Sequence, residues 1–96
     1  MAQKLDAAAR GDLKRRLPSW RLLEDRDALH KTFTFEDFNQ AFGFMTRAAL
    51  VAEHMQHHPE WSNVWNRVEV VLSTHAVGGL SELDVALAEA LDRIAG

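Results

Sequence analysis

An α+β fold, an antiparallel sheet with helices packed on one face, is predicted by this chain of 96 residues. Three observations carry that expectation. Apolar spacing alternates between a helical period of three to four and short β-rich runs. Breaks fall at Pro18, Asp25-Arg26-Asp27, Pro59 and Gly78-Gly79. The resulting order is α-β-β-α-β-(β)-α, a mixture of strands and helices that implies an antiparallel sheet.

The elements follow in order. Asp6 to Leu17 carries Leu5, Ala8, Ala9, Leu13 and Leu17 at roughly helical spacing, weakened at Gly11 and ended by Pro18. SWRLLEDRDALHKTFTF reads as two short strands about a polar turn, with Trp20, Leu22, Leu29 and Phe33 available for one buried face. At Thr34 the period changes: Thr34-Phe35-Glu36-Asp37 resembles a capping sequence with Thr34 at the N-cap. Phe38, Phe42, Met45, Ala49, Ala52 and Met55 then form one stripe of a long helix to about Gln56, widened by Ala41, Phe44 and Ala48. Pro59 stops it. SNVWNRVEVVLST is β-rich, either one long strand or a hairpin turning at Asn66-Arg67. Ser81-Glu82-Leu83-Asp84 caps a last helix with Leu83, Leu87, Leu91 and Ile94 on one face.

Composition narrows the function. A single domain spanning 1–96 is expected, with a thin core that leaves a sheet face and edge strands open and favours self-association. A net charge of −3 without a basic run argues against nucleic acid. No apolar run is long enough to span a membrane, and Met1 leads into no apolar signal core, so a cytoplasmic location is expected. The absence of cysteine excludes disulfides, zinc–thiolate sites and thiol nucleophiles.

The chemistry concentrates in HMQHHPEW, which holds three of the five histidines, and in LSTHAVGGLS, which holds His75. Three readings compete. Histidines at a helix C-terminus complement its dipole. His54 and His58, at i, i+4, with Glu53 or His75 could ligate zinc, although no HExxH motif is present. Imidazoles that titrate near neutrality can also exchange protons with a substrate: His57 and His58 where Pro59 unwinds the helix, and His75 opposite, at a strand end. Trp61 and Trp65 could wall such a pocket for a planar heterocycle, or serve as ordinary core aromatics. His54, one turn back, has no such counterpart and reads as a surface residue.

EHMQHHPEWSNVWNRVEVVLSTHAVGGLSELD, together with FTFEDFNQAFGFMTRAALVAEHM upstream, resembles the signature of the pterin-4a-carbinolamine dehydratases. These proteins are also known as dimerisation cofactors of a homeodomain transcription factor. The resemblance covers about residues 18 to 94. It implies four antiparallel strands with three helices on one side, favouring the hairpin, and a homo-oligomer, dimer or tetramer. It also implies dehydration of 4a-hydroxytetrahydropterin to quinonoid dihydropterin, which links the chain functionally to aromatic amino acid hydroxylases. No metal or other cofactor is implied. Carried over, the catalytic histidines fall on His57, His58 and His75, and the pterin-lining positions on Gln56, Ser73, Thr74 and Ala76. Trp61, from the residue reading above, is the further candidate for contact with the ring. His58 and His75 are assigned acid and base, with His57 holding the pterin.

Departures from the family pattern are Gln56 in place of a frequent Asp, Ala76-Val77 in place of Glu-Cys, and Trp65 in place of Tyr. Glu53 and Asp84 match acidic motif positions, where a solvated carboxylate and a helix cap explain them equally well. Two competing functions stay open: a non-catalytic interaction module, and an enzyme of a related pterin pathway.

Overall fold

The computed structural model describes residues 2–96. Four strands form one fully antiparallel sheet: β1 (Arg21–Leu22), β2 (Leu29–Thr34), β3 (Glu60–Val64) and β4 (Arg67–Leu72), in the spatial order β1-β2-β4-β3. The helices are α1 (Ala7–Gly11), α2 (Leu13–Arg16), α3 (Phe38–Met55) and α4 (Glu82–Ala95). The expected α+β architecture is therefore present, with four helices where three were expected. The extra one arises because the first predicted helix breaks at Asp12, whose N–H bonds back to Ala9 and Arg10 and closes α1.

Period-2 alternation decides which sheet face is covered. Leu29 and Phe33 on β2 and Val68, Val70 and Leu72 on β4 point at the helices and are buried. Their neighbours Thr32, Thr34, Arg67 and Glu69 face outward and are exposed. Leu22 does not join the buried face: β1 is a two-residue edge strand, and the side chain stays 50% exposed.

The long helix begins three residues later than its expected cap. Asp37, not Thr34, is the N-cap, its Oδ1 accepting from Gln40 N at 2.8 Å. Thr34 is still paired with Arg67 in the sheet, so its backbone is committed to extended geometry. The buried face of α3 is Ala41, Phe44, Ala48 and Ala52, while Phe38 and Phe42 are 50% and 54% exposed. Both stripes fit a 3.6-residue period. Small side chains let the helix approach the sheet, and Phe44 fills the gap between Phe33 (4.8 Å between centroids) and Phe35 (4.9 Å). That leaves Phe38 and Phe42 paired on the outside.

The hairpin turns at Trp65-Asn66, one residue earlier than the expected Asn66-Arg67, because Arg67 pairs with both Val64 and Thr34. Trp65 takes a left-handed conformation (φ 50°) and is 64% exposed, so it is no core aromatic. On α4 the expected cap is found: Ser81 Oγ accepts from Leu83 N, and the Asp84 side chain accepts from Ser81 N. No helix of the described residues is long and apolar enough to cross a membrane.

Candidate active site

Two chain breaks build the site. The first is the C-terminus of α3, where Gln56 takes a left-handed conformation (φ 53°, ψ 41°). Gln56 N donates to Glu53 O and His57 N donates to Ala52 O, the paired bonds of a Schellman closure. A non-glycine residue there costs about 1 kcal/mol. The closure turns His57 inward, where it is buried, and leaves His58 exposed. The adjacent pair is thus split by backbone geometry.

The second break follows β4. Thr74 and Gly79 exchange backbone hydrogen bonds at 2.8 and 3.3 Å, pinching off one turn of 3₁₀ helix over His75–Val77. His75 is carried outward on that turn, its side chain 83% exposed. Gly79 sits where the Asp27 and Lys4 side chains converge. A Cβ there would overlap an oxygen of the Asp27 carboxylate and come within 2.9 Å of Lys4 Cε.

A cleft of about 440 Å³ lies between the two breaks, lined by Gln56, His57, His58, Ser73, Thr74, His75 and Ala76, with Ala2 and Leu83 closing its rim. All three histidines singled out in the sequence line it, as do four of the five pterin-lining candidates. Trp61 does not. It lies opposite Val70 on the helix-facing side of β3 and packs against the core. His54 is exposed on the last turn of α3. Among the described residues, no three His, Cys, Asp or Glu side chains gather to hold a metal ion.

Each cleft histidine faces a carboxylate: His57 Nε2 lies 2.6 Å from Asp84 Oδ1, His58 Nε2 2.8 Å from Glu53 Oε1, and His75 Nε2 3.6 Å from Glu60 Oε2. The first pair is buried, and Asp84 is fully enclosed. Its Oδ2 accepts from Thr74 Oγ1 (2.7 Å) and from Ser81 N (2.9 Å). Because the Thr74 hydroxyl hydrogen goes to Asp84, the Ser81 hydroxyl donates to Thr74 Oγ1 across 2.7 Å. Ser81 Oγ in turn accepts from Leu83 N. A carboxylate only accepts, so His57 carries its hydrogen on Nε2, and a neutral ring keeps Nδ1 as an acceptor. The network thereby selects the tautomer.

The second and third pairs lie at the surface. Glu60 is gripped by Arg26 through two bonds of 2.9 and 2.8 Å, and that guanidinium holds its carboxyl below the usual carboxylate range. Sequence reasoning gave Arg26 only a place in a turn and Glu60 no role, and explained Asp84, a family motif position, by helix capping. No spacing rule links residue 57 to 84, or 26 to 60 to 75.

The fold and site together define a class: small open-sheet α+β proteins with a cleft lined by imidazoles. The family model for pterin 4 alpha carbinolamine dehydratase matches residues 3–94, and the chain belongs to that family. A Bradyrhizobium sp. (strain BTAi1) protein provisionally named pterin-4-alpha-carbinolamine dehydratase is 60% identical, with 99% of this chain and 96% of that one covered. A Jannaschia sp. (strain CCS1) protein of the same provisional name is 59% identical, with 99% of each covered. The crystal structure of a Brucella melitensis transcriptional coactivator/pterin dehydratase superposes with a TM-score of 0.92 at 44% identity, covering 97% of this chain and 99% of that one. A pterin dehydratase-like protein identified as a RuBisCO assembly factor in the alpha-carboxysome gives a TM-score of 0.71 at 27% identity, covering 84% and 94%.

Proposed function

We propose that this chain dehydrates a pterin 4a-carbinolamine to the quinonoid dihydropterin, regenerating a pterin that an aromatic amino acid hydroxylase has used. The observation that carries the reading is the convergence of His57, His58 and His75 on one cleft, one buried and locked and two free to exchange protons with water. In the reaction the C4a–O bond breaks and the N5 lone pair forms the C=N bond. One proton goes to the departing hydroxyl and one leaves N5, so no net proton is consumed. His58 and His75, both exposed, are assigned those two transfers. His57, held in one tautomer by Asp84, orients the pterin. Gln56, Ser73, Thr74 and Ala76 line the ring's seat. A homo-oligomer is part of the reading, supported by the outward-facing Phe38, Phe42 and Leu50 of α3.

The test is a dehydration assay with synthetic 4a-hydroxytetrahydropterin against its spontaneous rate. The chain is expected to accelerate the reaction, and His75→Ala to lower kcat about 100-fold, the lower end of what positioned acid–base groups contribute. His75→Ala that changes KM alone would overturn the assignment. A second reading, assembly without catalysis, draws on the likeness to the RuBisCO assembly factor. It predicts no acceleration by the wild-type chain.

A further inference from the structure

His75 has a problem that His57 does not. Its side chain is 83% exposed on a single 3₁₀ turn, so packing does not choose its rotamer. A proton-transfer group must nevertheless be held within hydrogen-bond reach of one substrate atom. What stands behind the ring is Glu60, the first residue of β3, its Oε2 3.6 Å from Nε2. Glu60 is itself not free to swing. Both of its oxygens are taken by Arg26, from the loop before β2, in the two-pronged geometry that restricts a carboxylate most. Glu60 pairs in the sheet with Val71 on β4, and β4 leads through Ser73 and Thr74 into the His75 turn. The loop that carries Arg26 is tied to the same place, since Ser73 Oγ donates to Asp27 O at 3.0 Å. Arg26, Ser73 and His75 also line a second cleft of about 320 Å³, so Ser73 and His75 border both cavities.

The geometry points to Arg26 and Glu60 as a positioning pair for His75: the guanidinium fixes the carboxylate, and the carboxylate fixes the imidazole with its hydrogen on Nε2 and Nδ1 as the acceptor. Its catalytic consequence rests on the dehydratase reading above; the geometric statement does not. The arrangement parallels in the open the carboxylate that Asp84 offers His57 in the core, across 3.6 Å in place of 2.6 Å. The difference is that a salt bridge replaces burial as the restraint. Arg26 is 41% and Glu60 45% exposed, so the pair is expected to contribute little to global stability and its removal to leave the fold intact.

Two measurements on the 96-residue chain decide the matter. In long-range proton–nitrogen spectra of the histidine rings, His75 of the wild type is expected as the single Nε2–H tautomer once neutral. Glu60→Ala and Arg26→Ala should each convert it to a mixture, and Arg26→Lys should restore part of the wild-type signal. An unchanged His75 tautomer in both alanine variants, with melting temperatures also unchanged, overturns the proposal. In the dehydration assay, Glu60→Ala should lower kcat about tenfold, a fraction of the full acid–base contribution, with little change in KM. On a His75→Ala background it should have no further effect. An equal loss on that background assigns Glu60 a role apart from His75 and overturns the positioning role. Should the wild-type chain not accelerate dehydration, the dehydratase reading falls, and the ring spectra still decide whether the pair positions His75.

Discussion

Replacing Asp84 by Asn keeps shape and volume but removes a charge that three donors share. The amide oxygen can still accept from Thr74 Oγ1 and Ser81 N. The amide nitrogen then faces His57 Nε2, and donor meets donor unless the imidazole moves its hydrogen to Nδ1. One charge-assisted bond is lost outright and two are weakened to neutral ones. At about 1.5–3 kcal/mol for a bond to a charged group, against about 1 for a neutral pair, Asp84→Asn is expected to cost about 2–3 kcal/mol. In a domain this small that lowers the melting temperature by roughly 10–20 °C. Asp84→Ala also removes half of the capping box and leaves buried donors unpaired, so about 4 kcal/mol is expected. The assay is chemical denaturation of wild type and both variants, with the His57 tautomer read from the ring nitrogen spectrum. Asp84→Asn within about 0.5 kcal/mol of wild type, with an unmoved tautomer, would refute the claim that the carboxylate holds the ring.

Two further outcomes follow from the same region. Gly79→Ala drives a methyl into the Asp27 carboxylate, itself pinned by Arg10 and by Leu80 N, and is expected to destabilise by about 2–3 kcal/mol in thermal melts. Asp27 is lowered to about 2, first by the Arg10 hydrogen bonds and against the opposing effect of burial. Its folded carboxyl thus titrates below the unfolded one, so its contribution is complete above about pH 5 and fades as pH falls toward 2. With Arg10 and Asp27 about 32% and 27% exposed, screening leaves about 1 kcal/mol, measurable as the acid-limb difference between wild type and Asp27→Asn.

Element order and the break points were legible because proline, paired glycines and a Ser-x-x-Asp cap act locally. Register-dependent detail was not. Thr34 has every local qualification for an N-cap, yet the sheet claims it through Arg67. Phe38 and Phe42 satisfy helical period as well as Ala41 and Phe44 do, and only the docking of α3 on the sheet decides which stripe is buried. In the site, His57, His58 and His75 could be singled out by composition and by resemblance to a family. Glu53 and Asp84 matched acidic motif positions, but their pairing with the histidines was not legible, since Asp84 lies 27 residues from His57 along the chain and its second role exists only after α4 has docked. Trp61 shows the converse: proximity in sequence to HHPE placed it in the cleft, whereas strand alternation turned it to the core.

Asp84 is at once the N3 residue of α4 and the anchor of His57. The first turn of the last helix and the inner wall of the cleft therefore belong to one cooperative unit. Fraying α4 from its N-terminus releases the Ser81 amide, the Thr74 hydroxyl and the His57 ring in one event. Amide exchange at Ser81 then doubles as a clock for how often the cleft comes apart. Substitutions far along α4, at Leu87 or Leu91, are expected to change the share of time Asp84 holds the imidazole without altering any group that lines the cleft.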